Sequence, residues 1–305
     1  AAGYELIAID EAQRIPTIGQ ALKIIVDQIP NTQVIATGSS SFELSGEVGE
    51  PLTGRKTTLT LFPIAELELS NHLNPDEMRE HLHERLIFGS YPEVVTAATR
   101  QDKVRVLEEL LNSYVLKDIL ELDRIKGSKI LLDLLRLVAY QIGGEVSLSE
   151  LGAQIGIDAK TVSRYLDLLE KSFVLFNLRG FSRNLRKEVT KKSKYFFYDN
   201  GVRNAVISNF NPISDRNDEG ALWENFVIVE RLKKRSYQRM YANQYFWRTW
   251  DRKEVDLVEE REGKLFGYEC KYSNADGKDV RAWRAAYPEA TFEIISKENY
   301  LDFIL

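Results

Sequence analysis

The sequence predicts a mixed α/β and α+β chain of several units, and three observations carry that prediction. The chain opens strand, helix, strand; its middle holds three amphipathic helices followed by two short strands; its end reads helix, three strands, helix, strand. At 305 residues it exceeds one ordinary domain, and a 44% hydrophobic share with 29% charged residues suits ample core. No apolar run approaches the roughly 18 to 20 residues that cross a bilayer, and no secretory signal precedes Tyr4. The expected location is therefore cytoplasmic, without membrane contact.

Element by element, Leu6 to Ile9 reads as a buried strand, Ile18 to Ile29 has helical spacing, and Gln33 to Thr37 is a second strand ending at Gly38. This order suits a parallel sheet whose polar residues gather at its carboxyl edge. The alternating Thr57 to Phe62 suggest one more strand, closing a first unit over residues 1–64. Helical spacing dominates residues 65–127, interrupted at Phe88-Gly89-Ser90-Tyr91-Pro92-Glu93, with an apolar stripe of Leu107, Leu110, Leu111, Tyr114 and Val115. In residues 128–200, Ile130 to Ile142, Leu148 to Ile155 and Ala159 to Lys171 are helices. Ser147 and Glu150 form a capping-box pattern before the second of them, and Gly156-Ile157-Asp158 makes the turn to the third. With the strands 173–176 and 195–198 this is the layout of a winged helix-turn-helix. The last unit, 201–305, has a helix from Leu222 to Lys234, strands at 244–249, 254–259 and 265–271, a helix at 280–286 and a strand at 291–295.

Cysteine and histidine usage excludes some chemistry. One cysteine, Cys270, rules out an internal disulfide framework and a multi-cysteine zinc site. His72, His81 and His83 share one polar segment without the spacing that puts two ligands on one helix face. The formal net charge of -5 predicts no global attraction to nucleic acid, so any such contact needs a local patch.

The first chemical signal is the apolar strand running into Asp10 and Glu11. P-loop NTPases end such a strand with one carboxylate for Mg²⁺ and a second beside the attacking water. Thr37 and Ser39, one strand later, offer hydroxyls between the two strand ends. Arg55, in Thr53-Gly54-Arg55, reads either as a cation reaching a neighbour's γ-phosphate or as a surface arginine at a turn. The phosphate loop G-x-x-x-x-G-K-S/T is absent from the sequence.

Ile9-Asp10-Glu11-Ala12-Gln13, Ala36-Thr37-Gly38-Ser39-Ser40-Ser41, Leu52-Thr53-Gly54-Arg55, Leu61-Phe62-Pro63-Ile64 and Gly89-Ser90-Tyr91-Pro92-Glu93-Val94-Val95 follow one another in the order seen in a known family. The chain resembles, over nearly its whole length, the AAA-type ATPases of bacteria and archaea that carry a C-terminal domain of unknown function. The resemblance implies a partial P-loop NTPase core with a helical subdomain. It implies ATP and Mg²⁺ as cofactors, Asp10 as Mg²⁺ ligand, Glu11 as water-activating carboxylate, Thr37 or Ser39 as γ-phosphate sensor and Arg55 as a finger. It also implies that the phosphate loop precedes residue 1. The chain is then expected to be a fragment that binds nucleotide poorly, while its full-length parent hydrolyses ATP.

Two further constellations stand apart from that core. On the presumed recognition helix, Lys160, Thr161, Ser163 and Arg164 carry side chains suited to phosphates or base edges. The following connection is locally basic, with Arg183, Arg186, Lys187, Lys191 and Lys192 as candidate DNA contacts. Winged helices also serve as protein-docking modules, and basic loops are often only solvated. In the last unit Glu224 lies on the opening helix, Asp256 on a strand, and Glu269-Cys270-Lys271 on the next. A period of two puts Glu269 and Lys271 on one face, so carboxylates can bind Mg²⁺ through Asp256 and Glu269 while the lysine serves a phosphoryl centre. The set resembles restriction-endonuclease-like folds; the dull alternative is an exposed ion-pair row. Trp223, Trp247, Trp250 and Trp283 read as aromatic core rather than base-stacking platforms.

The sequence therefore predicts a AAA-type ATPase coupled to DNA binding or processing, with a metal-dependent nuclease site as a second activity. Two alternatives stand beside it. One is a non-catalytic module docking an unidentified protein partner or a second copy, with both acidic sites vestigial. The other is a DNA-binding regulator using the winged helix alone.

Overall fold

The computed structural model describes residues 4–29, 31–38, 54–112, 128–182, 193–249, 252–273 and 280–305. Strands β1 (Leu6–Ile9) and β2 (Gln33–Ala36) pair in parallel, Leu6 opposite Gln33 and Ile9 opposite Ala36. A parallel pair needs a crossover, and α1 (Ile18–Gln28) supplies it. Its Ile18 and Leu22 pack with Ala12 against Ile9, Val34 and Ala36.

The expected strand at Thr57 to Phe62 does not form. Leu59 is 83% and Leu61 92% exposed, and no described residue pairs with this stretch. Alternation of side chains makes a strand only where a neighbouring edge takes up its backbone groups. Phe62 instead stacks on Tyr198, ring centroids 5.8 Å apart.

Short helices follow: α2 (Glu66–Leu69), α3 (Pro75–Glu80), α4 (Leu82–Phe88), α5 (Pro92–Thr96) and α6 (Arg100–Leu110). Asn74 caps α3 by accepting from the amides of Asp76 and Glu77, and Pro75 takes the first helical position, where no amide is needed. Gly89 ends α4 with φ 70°. A Cβ there would lie 2.0 Å from Asp199 Oδ1, and one at Gly201 would lie 2.0 Å from the Phe88 carbonyl oxygen. The Gly-Ser-Tyr-Pro motif is thus a packing device: it lets the chain run against the buried Asp199 carboxylate, which accepts from the Ser90 amide at 2.7 Å.

The centre contains α7 (Ser128–Tyr140), β3 (Glu145–Val146), α8 (Leu148–Ile155), α9 (Ala159–Lys171), β4 (Leu175–Gly180) and β5 (Ser193–Phe197). Gly156 turns the chain after α8 with φ 74°, and Asp158 caps α9 by accepting from the Thr161 amide at 2.9 Å. The end contains α10 (Asn200–Val206), α11 (Glu219–Tyr237), β6 (Asn243–Arg248), β7 (Glu254–Arg261), β8 (Lys264–Cys270), α12 (Arg281–Ala286), β9 (Thr291–Ile295) and α13 (Tyr300–Ile304).

All strands from β3 onward form one seven-stranded sheet in the order β3-β5-β4-β6-β7-β8-β9. The central ribbon joins the final unit through the parallel pair β4–β6, Arg179 opposite Tyr245 and Gly180 opposite Phe246. One hydrophobic core extends with it, from Met78 through Leu135, Phe196, Trp223 and Leu257 to Ile304. A second cluster, Trp247, Val255, Val258, Leu265 and Trp283, packs separately. Trp223, Trp247 and Trp283 are buried, as expected for core aromatics; Trp250 lies outside the described residues.

Candidate functional site

The strands β7 and β8 position the acidic constellation by leaving the regular ladder. Tyr245 faces Val258 whereas Trp247 faces Val255, so Phe246 of β6 opposes two residues, Asp256 and Leu257. Such a bulge breaks the period of two and re-aims a side chain. On its other side β7 pairs with β8 from Arg261–Lys264 up to Leu257–Tyr268. There the ladder ends, and the Cys270 amide donates to Asp256 Oδ2 at 2.9 Å. β8 runs on beside β9, pairing Glu269 with Ile294 and Cys270 with Ile295. Asp256 and Glu269 therefore stand where two strands part.

Around that point opens a cleft of about 340 Å³ lined by Glu219, Gly220, Glu224, Asp256 and the segment Glu269 to Ser273. Glu269 is 1% and Asp256 8% exposed, so the reading of these carboxylates as a solvated ion-pair row does not fit. Lys271 Nζ lies 2.9 Å from Glu269 Oε1. Burial disfavours its charge, but the Glu269 carboxylate outweighs burial, with Asp256 adding to it, and holds the ammonium above its usual basicity. Cys270 is buried in the large core, its thiol pushed up by burial and by the charges of Asp256, Glu224 and Glu269.

Glu224 approaches from α11. Burial, reinforced by Asp256, pushes its carboxyl up to about 8 against the pull of Lys194. Lys194, on β5, is 2% exposed. Its ammonium lies 3.2 Å from Glu224 Oε1 and also pairs with Glu254. Burial opposes its charge, yet Glu224, Asp256 and Glu254 together raise its basicity. Arg248 continues the chain of charges, 3.0 Å from Glu145 and 3.9 Å from Glu254. Sequence reasoning missed Lys194, because a lysine closing a basic connection reads as solvated; the one available signal was its place in the apolar strand Tyr195-Phe196-Phe197.

Asp10, Glu11 and Thr37, the described candidates for nucleotide chemistry, lie together at the carboxyl edge of the small sheet. Asp10 and Thr37 directly follow β1 and β2, and the Thr37 hydroxyl donates to Asp10 Oδ1. The Glu11 amide donates to Thr37 Oγ1 at 3.3 Å, and the Ala12 amide to the Thr37 carbonyl at 2.9 Å. Glu11 itself has φ 49°, an uncommon conformation for a non-glycine residue, and its carboxylate lies 3.5 Å from Arg14. Arg55 pairs with Asp27, at the end of α1. Ser39 lies outside the described residues.

On α9, Lys160, Ser163 and Arg164 are exposed, and Arg164 lies over the Tyr165 ring at 5.4 Å. Thr161 Oγ1 donates to Asp158 at 2.7 Å, so its hydroxyl serves the helix cap. Arg183, Arg186, Lys187, Lys191 and Lys192 lie outside the described residues. Among the described residues no three His, Cys, Asp or Glu side chains are grouped to hold a metal ion. No described helix is long and apolar enough to cross a membrane.

Comparison with known proteins matches three stretches of the chain. Residues 1–70 match a family described as AAA domain, 79–213 match Domain of unknown function (DUF8612), and 219–300 match Domain of unknown function (DUF4143). Together these matches support an AAA-type ATPase-like protein. An uncharacterized protein of Mycobacterium tuberculosis is 27% identical over 270 residues, 87% of this chain and 58% of its own length. One of Haemophilus influenzae is 28% identical, covering 67% of this chain and 52% of that protein. One of Methanocaldococcus jannaschii is 22% identical, covering 86% and 61%. The chain thus spans less than two thirds of the length of these relatives. The crystal structure of protein VC1899 from Vibrio cholerae aligns with 70% of this chain and 55% of its own, at 14% identity and a TM-score of 0.22.

Proposed function

We propose that this AAA-type ATPase-like chain acts on DNA, with the cleft at Asp256, Glu269 and Lys271 as a divalent-cation site for phosphodiester chemistry. The observation that carries the reading is the parting of β7 and β8, which sets two buried carboxylates and one ammonium on a common cleft. The element orders support it. Helix α11, strands β6 to β8, helix α12 and strand β9 follow the plan of a restriction-endonuclease-like fold, and α7-β3-α8-α9-β4-β5 follows that of a winged helix.

The donor set suits Mg²⁺, which takes one or two carboxylates and keeps several waters. Asp256 and Glu269 would hold it, and a bound Mg²⁺ supplies Lewis-acid polarisation of a phosphoryl oxygen. Lys271 stays protonated, so its part is to place positive charge and hydrogen bonds against phosphate oxygens rather than to accept a proton. Glu269 orients that ammonium at 2.9 Å. Asp10, held by Thr37, would serve Mg²⁺ with ATP in the same spirit, with Glu11 beside it.

Incubation with Mg²⁺ or Mn²⁺ and single- or double-stranded DNA tests the proposal. Cleavage is expected, and Asp256→Ala and Lys271→Ala should each lower it about 100-fold or more while leaving the protein folded. Intact DNA in both metals would favour a second reading, a docking module with vestigial sites, for which the close pairing of Glu224 with Lys194 is the specific support.

A further inference from the structure

Both carboxylate oxygens of Glu224 are engaged by neighbouring segments. Its Oε1 takes the Lys194 ammonium at 3.2 Å, and its Oε2 faces the turn after α7, where a Cβ on Gly143 would come within 2.8 Å. Lys194 comes from a different segment of the chain than the carboxylates it faces. It enters from β5, beside β3, while Glu224 belongs to α11 and Glu254 to β7. Its side chain is sealed from solvent, crosses the Phe246 ring at 5.4 Å and does not line the cleft. A buried ammonium between acidic groups does what a bound cation would do there: it offsets their mutual repulsion.

We propose that Lys194 is a built-in counter-ion that holds Glu224 and Glu254 away from an incoming divalent cation and thereby sets the cleft's cation affinity. The inference rests on the cation reading of the cleft given above. A fixed positive charge a few ångströms from the carboxylates repels a divalent ion through a poorly screened medium, and it occupies the oxygen that Glu224 would otherwise offer. The device is specific to charge: removal of the ammonium should strengthen binding, whereas loss of a merely structural residue would weaken it.

Calorimetric titration of the whole chain with Mn²⁺ tests this. Lys194→Met and Lys194→Gln should bind Mn²⁺ about 10-fold or more tightly than the parent, including the case in which the parent shows no measurable binding. Lys194→Arg, which keeps the charge, should bind like the parent. Melting curves identify folded variants, and the glutamine variant, which keeps a donor for Glu224, stands in if the methionine variant does not fold. Equal or weaker binding in both neutral variants overturns the role given to Lys194 while leaving the cation site intact. No binding in the parent or in any variant overturns both, because the cleft then takes no cation.

Discussion

Glu170 lies half-buried near the end of α9, and burial, then the charge of Asp167, push its carboxyl up to about 7 despite Arg179, Asn177 and Lys171. An acid whose folded pKa exceeds its unfolded value binds its proton more tightly in the folded state. Its contribution to stability is therefore full below about 4.5 and is lost as pH rises through about 7. Glu170→Gln removes that loss. The variant should match the parent at pH 4.5 and exceed it at pH 8 by about 1 kcal/mol, a figure discounted because the group is partly solvated. Thermal melting at the two pH values checks this, and a variant less stable at pH 8 would show that the ionised carboxylate contributes more than its burial costs. At Lys194 the proton is likewise held more tightly in the folded state, but there neighbouring charges prevail over burial. There three carboxylates, not one cation, decide the outcome, which sequence distance hides because Lys194, Glu224 and Glu254 are far apart along the chain.

At the scale of elements, α9 carries the DNA proposal that the described residues make testable. Lys160 and Arg164 are exposed, whereas Thr161 is committed to Asp158 and is a poor reader of bases. Paired charge reversal, Lys160→Glu with Arg164→Glu, should weaken duplex DNA binding uniformly across sequences and reduce the slope of log affinity against log salt by about 2. Titrations at several salt concentrations measure this, and an unchanged slope would remove α9 from the interface. The helices and most strands of this half were legible because amphipathic period and caps are local signals. β3 was not: two residues, Glu145 and Val146, are too few to show a period. α10 was missed for a different reason. Its Arg203 and Asn204 are buried polar residues satisfied by Asp218, Ala139 and the carbonyls of Leu86 and Ile87, so no apolar stripe marks it. Thr57 to Phe62 misled in the other direction, since its alternation has no described edge to join.

For the whole molecule, the decisive contacts are those no local pattern announces. Among the described residues β4 and β6 meet through two residue pairs, and these merge the central ribbon and the final unit into one sheet. Asn225 of α11 secures the seam: its Oδ1 accepts from the Phe197 amide at 2.8 Å, and its Nδ2 donates to the Phe197 carbonyl at 3.0 Å. The helical segment is clasped to the same helix, with the Glu66 amide donating to Glu230 at 2.7 Å and the Lys233 ammonium donating to the Ile64 carbonyl at 3.4 Å. The family boundaries at 213 and 219 therefore do not divide the core, which runs continuously across them. Residues 79–305 should unfold as one cooperative unit. In urea, tryptophan fluorescence, which reports only positions 223 to 283, should follow the same transition as the far-ultraviolet signal of the helices from α4 to α10. Asn225→Ala should shift that shared transition by about 2 to 4 kcal/mol, because it leaves two buried backbone groups of Phe197 without partners, and should not split it. Two separated transitions in the parent would mean that the seven-stranded sheet is not one cooperative structure. The pairing of Lys194, on one side of the seam, with Glu224 and Glu254 on the other would then lose its physical basis.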